Sequence, residues 1–328
     1  MSGVYSITVP EAEAGARLDR WFKRRFAGVT QGEVEKMLRT GQIRVDGARA
    51  KANTRLEAGQ SVRIPPLKPK AAEKPKRGEI SERDAAFVRE LVVYEDEEMI
   101  ALNKPAGLAV QGGTKTARHL DGMLDALKTG EYRPRLVHRL DRDTSGVLLL
   151  ARTPAAAARL TELFRSRDMD KVYWAVTVKV PNPRAGQVRS WMAKGAGPGE
   201  DKERMVAAVQ TDEGARHAIT NYAVIANAGQ RAAWVALKPE TGRMHQLRFH
   251  MMEIGTSILG DAKYATRREV PQGVAKGLHL HARALIVPRK RGGPILIEAA
   301  LPPHMTETFE TLGFDPREAG PDPLEPFL

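Results

Sequence analysis

The chain has 328 residues, of which 42% are hydrophobic and 28% are charged, an ordinary composition for a soluble globular protein of about two domains. It contains no cysteine, which excludes disulfides and thiolate metal sites and suits a reducing cytoplasm. No apolar run approaches the roughly 20 residues that a membrane-spanning helix needs, and the N-terminal residues lack the pattern of a signal peptide. We therefore expect a cytoplasmic protein with no membrane partner.

The net charge of +12 is unevenly distributed. Between Arg17 and Arg63 there are 12 basic and five acidic residues, a local excess of +7. Such a concentration favours a polyanionic partner, either a nucleic acid or a membrane surface. A solvated face without a partner is an equally good interpretation of the charge alone.

The same region contains two short helical patterns and two short strands. The first helix is predicted over ARLDRWFKRRF, where four large apolar residues fall near one face. The second follows Thr30, a predicted N-cap with Glu33 three residues later, and ends at Gly41. The strands are IRVDG, which runs into an Asp46-Gly47 turn, and SVRIP. We expect a small α/β domain over residues 15–64.

A linker is predicted over residues 65–87. It begins at Pro65-Pro66 and continues through LKPKAAEKPKRGEISERD, which is rich in Lys, Pro and Ala and poor in large apolar residues. Such a composition cannot bury a core.

After the linker the pattern is dominated by β-strands. Runs such as LVVYE, VLLLAR, KVYWAVTVKV, AAWVALKP and ILIEAAL are separated by Gly, Pro and charged residues, with helices predicted over TARHLDGMLDALK and PAAAARLTELFRSR. We expect an α+β domain with a mixed, mostly antiparallel sheet over residues 88–318. The Pro-rich residues 319–328 are predicted to be irregular.

The segment most indicative of chemistry is HRLDRDTSG, residues 138–146, directly before the apolar strand VLLLA. A polar loop held against a buried strand is a common place for catalytic groups. Taken by itself, the segment is better explained as a charged turn whose Asp and Arg side chains pair with one another.

The whole segment resembles the signature of the RluA family of pseudouridine synthases. Five further segments match family motifs in family order, and residues 15–64 resemble the S4 RNA-binding module that large-subunit ribosomal RNA members of the family carry. The matching segments are NKPAG at 103–107, KVYWA at 171–175, GRMHQLRFH at 242–250, GDAKY at 260–264 and LHLHA at 278–282.

The resemblance implies that the enzyme isomerises uridine to pseudouridine in RNA, with Asp141 as the catalytic nucleophile. A carboxylate is chemically suited to forming a covalent intermediate with a sugar or an activated base. Arg248 is implied to pair with Asp141 across the cleft, and a guanidinium favours the charged carboxylate. Because the reaction adds and removes no atom, we expect no cofactor and no metal.

Tyr173 matches the family tyrosine that stacks on the target base, and alternation along its strand places it opposite Val172 and Trp174. Arg139 matches the arginine that enters the RNA where the base has flipped out. An ion pair between Arg139 and Asp143 is the alternative. Further RNA contacts are predicted at His138 and, in the S4-like module, at the residues Arg20, Arg24, Arg25, Lys36 and Arg39.

Four histidines, at positions 245, 250, 279 and 281, invite comparison with a metal site. A bound zinc would also need an acidic third ligand and a second shell, and nothing in these motifs demands one. We therefore interpret these histidines as structural or RNA-contacting. Two departures from the family pattern are Gln111, where His is frequent, and Met244, where Thr or Ser is usual.

The expected partner is RNA, most specifically large-subunit ribosomal RNA, bound by a monomer. Transfer RNA or another hairpin of the 23S RNA is the alternative target. Two further hypotheses are an RNA-binding assembly factor that performs no chemistry and a hydrolase. The hydrolase needs a second carboxylate, for which Asp143 is the nearby candidate.

Overall fold

The structure, a computed structural model, describes residues 3–26, 29–67, 80–113, 116, 118–195, 204–264, 271–289 and 292–327. The chain divides into two compact units, Met1–Gly78 and Glu79–Leu328, and the division falls inside the predicted linker. Most of that linker, residues 68–79, lies outside the described residues. No helix in the described ranges is long and apolar enough to cross a membrane.

In its described residues, the first unit packs two helices on a four-stranded antiparallel sheet with strand order β1-β4-β2-β3. Leu18, Trp21 and Phe22 of the first helix are fully buried in its core, as the periodicity predicts. The elements are β1 (Tyr5–Thr8), α1 (Leu18–Arg25), α2 (Gln31–Arg39), β2 (Arg44–Val45), β3 (Ala48–Arg49) and β4 (Ser61–Ile64).

The predicted start and end of α2 are confirmed. The Thr30 hydroxyl accepts from the Glu33 N–H, and the Glu33 side chain accepts from the Thr30 N–H, which completes a capping box. Gly41, just beyond the helix, has φ +70°, a left-handed conformation that glycine adopts without strain. β1 lies outside the predicted range 15–64, yet Tyr5 pairs with Ile64 and completes the sheet.

The second unit is built on a mixed sheet in which strand pairs are antiparallel except β8 with β14. This confirms the predicted α+β class. The strand order is β11-β10-β12-β13-β9-β14-β8-β6-β5, with β15 paired to β14 and β7 paired to β8. The strands are β5 (Val92–Glu95), β6 (Met99–Lys104), β7 (Arg135–Leu136), β8 (Ser145–Ala151), β9 (Asp170–Val178), β10 (Ala185–Gly195), β11 (Arg204–Ala208), β12 (Arg216–Ala228), β13 (Ala232–Pro239), β14 (Leu280–Val287) and β15 (Ile295–Glu298).

Helices cover both faces of this sheet. On β9, Val172 and Trp174 pack towards α7 on one face, whereas Tyr173 and Ala175 face α6 on the other. The predicted alternation along β9 is therefore confirmed, and it leaves Tyr173 on the α6 face. The helices are α3 (Glu82–Glu90), α4 (Leu120–Met123), α5 (Pro154–Ser166), α6 (Gln246–Glu253) and α7 (Pro303–Leu312).

Two predicted boundaries are wrong. Residues 82–87, assigned to the linker, begin α3, which is capped by the Ser81 hydroxyl and buries Val88 against the core. The linker was extended over this short amphipathic pattern because the preceding stretch is rich in Lys and Pro. The tail, predicted to be irregular, forms a 3-10 helix over Glu325–Phe327, and Leu324 and Phe327 pack against the cluster around Trp234.

The secondary structure of two other segments differs from what the sequence indicated. The helix predicted over residues 116–128 is limited to α4 and a following 3-10 turn, Leu124–Leu127. Residues 181–205, for which no role was predicted, contribute β10 and the start of β11 at the edge of the sheet. Residues 196–203 lie outside the described part.

Three histidines are buried completely in the second unit and use both ring nitrogens. His279 lies between the Gly277 carbonyl and the Thr308 hydroxyl, while His281 bonds the Ser145 hydroxyl and the Ala299 carbonyl. His250 forms hydrogen bonds with the hydroxyl groups of Ser190 and Thr220. Burial lowers the pKa of each of the three to about 4, so they are neutral and structural at neutral pH.

We expect the second unit to lose stability as the pH falls from about 6.5 to about 4. The unfolded state binds more protons in this window, because each histidine has a lower pKa when folded than when unfolded. Each contributes at most about 1.4 kcal/mol per pH unit to the slope. His245 acts in the same direction, and Glu253, whose pKa is raised by burial, opposes it.

Urea unfolding at several pH values between 7.5 and 5.0 and constant ionic strength measures this slope. His250→Asn keeps a hydrogen-bonding side chain but removes one titrating group, so its slope should be shallower. A free energy of unfolding that stays constant across the window contradicts the prediction.

Candidate active site

The loop that carries Asp141 joins β7 to β8. Leu140 is buried beneath it, while the Asp141 side chain is 29% exposed, and the Thr144 N–H closes a turn on the Asp141 carbonyl at 3.2 Å. The loop ends where β8 pairs with β14, at Ser145 and Gly146. A Cβ at Gly146 would clash with the Ala282 carbonyl oxygen, so only glycine fits where the loop meets β14.

A buried lysine ties this loop to the NKPAG segment. The Lys104 ammonium donates to the carbonyl oxygens of Pro105 at 2.9 Å, Leu108 at 2.9 Å and Arg142 at 3.0 Å. The Gly107 N–H also donates to the Arg142 carbonyl, and the Arg142 guanidinium donates back to Gly107. Burial lowers the pKa of Lys104 to about 8, against the opposing charges of Asp143 and Asp141. The motif match identified this segment, but the resemblance had implied no role for its lysine.

Arg248 lies on α6, and its side chain is 5% exposed. Its Nε and Nη2 each donate to a carboxylate oxygen of Asp261 at 2.7 Å, a bidentate fork. Asp261 is fully buried at its side chain and accepts two further bonds, from the N–H groups of Lys263 and Tyr264. Burial lowers the pKa of Arg248, but the hydrogen bonds and charge of Asp261, with the charge of Asp141, outweigh it and raise the net value.

The pairing of Arg248 with Asp141 differs from the expectation. Arg248 Nη1 is 3.8 Å from Asp141 Oδ2, longer than a hydrogen bond, so the close partner of Arg248 is Asp261. The GDAKY segment was recognised as a motif, but no pattern in the sequence connected Asp261 to Arg248. The structure thus places Arg248 beside Asp141 while a second carboxylate fixes its orientation.

His245 also reaches Asp141. Its Nε2 is 3.8 Å from Asp141 Oδ2, and its Nδ1 is 3.0 Å from the Tyr264 hydroxyl. Of the four motif histidines, His245 is the one that lines the cleft beside Asp141, whereas the other three are buried as described above. Neither His245 nor Tyr264 was predicted as a site residue.

Tyr173 lies half-buried on β9 and lines the same cleft as Asp141 and Leu280. Burial, and secondarily the charge of Asp141, raises the pKa of the Tyr173 phenol, which therefore stays protonated at neutral pH. The predicted juxtaposition of Tyr173 with Asp141 and Arg248 is present in the structure.

The two residues before Leu140 differ in their surroundings. Arg139 is exposed at the cleft, and among the described residues it donates to the Gln111 side chain at 3.4 Å rather than pairing with Asp143. His138, predicted to contact RNA, accepts a hydrogen bond from the Leu149 N–H at 2.8 Å and stacks on Phe164. Burial, followed by the nearby Lys171 charge, lowers the pKa of His138 to about 3, so its contacts are those of a neutral structural side chain.

The cleft widens around Asp141 to a volume of about 1180 Å³, above the range of about 300–1,000 Å³ typical of small-molecule sites. Its lining includes Arg167, Lys171 and Arg243. Burial, and then the positive charges of Arg216 and Arg167, lowers the pKa of Arg243. A wide cleft with mutually repelling cations at its edge suits a polyanion larger than a single nucleotide.

In the first unit, four of the five predicted RNA-binding side chains are exposed and form no ion pair within 4 Å among the described residues: Arg20, Arg24, Lys36 and Arg39. Arg25 differs, because it pairs with Glu13 at 2.9 Å and lies over the Trp21 ring. Arg25 therefore also makes contacts within this unit that stabilise its fold.

The part of the chain that the structure describes contains no cluster of three or more His, Asp or Glu side chains arranged for a metal ion. Close to Asp141 the cleft brings together its carboxylate, the Arg248 guanidinium, the His245 imidazole and the Tyr173 phenol.

Comparison with known proteins places this site in a family. A profile of the RNA pseudouridylate synthase family matches residues 98–253. The ribosomal large subunit pseudouridine synthase C of Rickettsia felis is 34% identical over 299 residues, covering 90% of this chain and 96% of that protein. The protein of the same name from Salmonella typhi is 32% identical over 316 residues, covering 93% and 96% respectively.

A solved structure of human RNA pseudouridylate synthase domain containing 4 is 30% identical, with a TM-score of 0.59, and covers 71% of this chain and 98% of that one. Human RNA pseudouridylate synthase domain containing 1 is 26% identical, with a TM-score of 0.53. Since the similarity extends over nearly the whole length of the bacterial relatives and includes the fold of the second unit, this chain belongs to the RluA-type family of RNA pseudouridine synthases, which are isomerases.

Proposed function

We propose that this isomerase converts uridines of large-subunit ribosomal RNA to pseudouridine, with Asp141 as its nucleophile, as a cytoplasmic monomer. The observation that carries the catalytic part is the position of the Asp141 carboxylate. It lies at a basic cleft, with Arg248 Nη1 and His245 Nε2 each 3.8 Å from its Oδ2 oxygen. The names of the bacterial relatives, which cover most of the chain, support the ribosomal target.

The reaction breaks the bond between uracil N1 and ribose C1′ and forms a bond between C5 and C1′. C5 loses a proton and N1 gains one, so the product is an isomer and no oxidant, reductant or cofactor is consumed. An Asp141 oxygen supplies the transient covalent bond to the nucleotide, as carboxylates do in retaining glycosidases. The guanidinium of Arg248 stabilises the carboxylate charge both before this bond forms and after it breaks.

Tyr173 supplies the surface against which the target base lies. Its ring faces the cleft, and its raised pKa keeps the phenol neutral, which suits a stacking contact with uracil. Arg139 is exposed at the same cleft, and we assign it to the gap that the flipped base leaves in the RNA. Such a contact offsets part of the few kcal/mol that base flipping typically costs.

The phosphates of the RNA bind the cationic side chains around the cleft. Arg167, Lys171 and Arg243 line it, and the mutual repulsion of the arginines is relieved when an anion binds between them. The first unit, proposed to be an S4-like module, adds a separate phosphate-binding surface formed by exposed residues of α1 and α2, namely Arg20, Arg24, Lys36 and Arg39.

Asp141→Asn should abolish pseudouridine formation, with a rate at least about a thousandfold lower, because the amide cannot act as the nucleophile. The measurement is the mapping of pseudouridine along unmodified 23S ribosomal RNA after incubation without any added cofactor. Asp143→Asn is the matched control in the same loop and should retain activity within about tenfold.

Wild-type activity in Asp141→Asn contradicts the assignment of the nucleophile. Equal inactivity of both variants, together with release of free uracil by the wild type, would indicate the hydrolase instead. Salt-sensitive binding of the RNA with no pseudouridine from the wild type would indicate either the assembly factor or a transfer RNA substrate, and a transfer RNA assay separates these two.

Arg248→Lys should lower turnover by about a hundredfold while RNA affinity changes little. Lysine keeps the positive charge but cannot form the bidentate fork with Asp261 that orients the group towards Asp141. Single-turnover rates and equilibrium binding separate the two effects, with a thermal melt to verify folding. Arg243→Lys, at the exposed edge of the cleft, should affect binding more than turnover, and wild-type turnover in Arg248→Lys removes this residue from the mechanism.

Charge reversal of Arg24 and Lys36 together should weaken RNA binding and flatten its salt dependence, while the single-turnover rate stays unchanged. Each lost phosphate contact should reduce the slope of log K against log salt concentration by about 0.7–0.9. Arg231→Glu, an exposed residue of the second unit, is the control. An unaltered slope in the double variant places the RNA elsewhere on the molecule.

A further inference from the structure

We infer that His245 is a positioning residue: its Nε2–H, oriented by the Tyr264 hydroxyl, holds the Oδ2 oxygen of Asp141 and leaves Oδ1 free to react with the nucleotide. The inference deepens the proposed function and rests on the assignment of Asp141 as the nucleophile. It adds a second donor to the carboxylate beside Arg248 and assigns different roles to the two carboxylate oxygens.

The backbone of His245 is the first observation. The residue precedes α6 with φ 52° and ψ 19°, a left-handed conformation that non-glycine residues adopt at a cost of about 1–2 kcal/mol. Its side chain does not cap the helix. The conformation instead aims the ring into the cleft, where the side chain is 10% exposed. Strain of this kind persists where the surrounding contacts require it, and these contacts are Tyr264 and Asp141.

The hydrogen bonds of Tyr264 determine which ring nitrogen of His245 carries the proton. The Tyr264 oxygen accepts from the Met205 N–H at 2.8 Å and lies 3.0 Å from His245 Nδ1. Among the described residues, His245 Nδ1 is the acceptor within reach of the Tyr264 hydroxyl hydrogen. The phenol therefore donates to Nδ1, which leaves the proton of the neutral imidazole on Nε2.

The Nε2–H then faces Asp141. Nε2 of His245 and Nη1 of Arg248 are each 3.8 Å from the same oxygen, Oδ2. Catalytic hydrogen bonds are frequently long before substrate binds and shorten in the complex. Two donors that converge on Oδ2 bias the carboxylate towards one rotamer, in which Oδ1 faces the space that the nucleotide occupies.

The surroundings keep His245 neutral. Burial lowers its pKa, and the positive charges of Arg248 and Lys263 lower it further, against the charges of Asp141 and Asp261. A neutral imidazole keeps its single proton on Nε2 throughout the reaction and acts as a donor rather than as an acid. Tyr264 is fixed independently, because its ring lies beneath the guanidinium groups of Arg204 and Arg248.

Two amide substitutions separate the role of Nε2 from that of Nδ1. The amide nitrogen of Gln reaches approximately the position of His Nε2, whereas that of Asn reaches only the position of Nδ1. Asn also tolerates the left-handed backbone conformation better than most residues do. We therefore expect His245→Asn to fold and to lose the contact with Asp141, and His245→Gln to retain part of it.

The experiment measures single-turnover rate constants with enzyme in excess over a 23S ribosomal RNA fragment, together with RNA affinity and melting temperature. His245→Asn should lower the rate constant by about 10- to 100-fold, the effect of one hydrogen bond to a charged group, at unchanged RNA affinity. His245→Gln should recover at least about threefold of that loss. Tyr264→Phe should lower the rate by a smaller factor.

The double variant, His245→Asn with Tyr264→Phe, tests whether the two residues act in series. If Tyr264 acts through His245, the double variant is no slower than His245→Asn alone, whereas independent roles multiply the two losses. Each rate is measured on protein whose melting temperature shows that it is folded. Wild type and Asp141→Asn are run in the same assay, so a failure of the proposed function appears as an inactive wild type or an active Asp141→Asn.

A wild-type rate constant in His245→Asn overturns the inference, as does a loss that lies entirely in RNA affinity. Multiplying losses in the double variant also overturn it. A reduced rate constant, partial recovery by His245→Gln and non-multiplying losses together support it.

Discussion

The active site depends on one buried ion pair. Arg248 and Asp261 meet through two hydrogen bonds of 2.7 Å in a region where both side chains are at most 5% exposed. Removing one partner of such a pair typically costs about 3–5 kcal/mol, because the remaining charge is left buried and unpaired. Asp261 accepts two further hydrogen bonds, from the N–H groups of Lys263 and Tyr264, and these also hold the carboxylate in place beside Arg248.

The ion pair joins two of the segments that carry residues of the site. Leu247 and Met251 pack α6 against the face of β9 on which Tyr173 lies, and the GDAKY turn, which the ion pair joins to α6, carries Tyr264 to His245. The loop of Asp141 is held separately, by Lys104 and by the contact of Gly146 with β14. Two rigid supports thus face each other across the cleft, and a substrate that shortens the 3.8 Å separations completes the contacts between them.

Much of the fold and the central residues could be predicted from the sequence, because they depend on local patterns. Periodicity identified several strands, such as β8, β9 and β13, and the helix α5, whereas β1 and β10 were not predicted. The capping box of α2 is a local signal. Asp141, Tyr173 and Arg248, which the resemblance implied for one site, line one cleft in the structure. What could not be predicted depends on contacts between distant segments. The ion pair of Arg248 with Asp261 joins a helix to a turn that lies further along the chain. Lys104 binds three backbone carbonyl groups, and because every residue has such a group, no sequence pattern identifies them.

The complete burial of Lys104 makes this residue a probe of the motion of the Asp141 loop. Burial lowers the pKa of this amine to about 8, and the side chain is fully enclosed. An acylating reagent can then modify it only when the NKPAG segment and the Asp141 loop separate. The rate of acylation at this single position, compared with that of exposed lysines, is therefore a measure of how often the loop opens, and of the free energy of that opening. A fully enclosed residue would in this way report on the dynamics of the loop that carries Asp141.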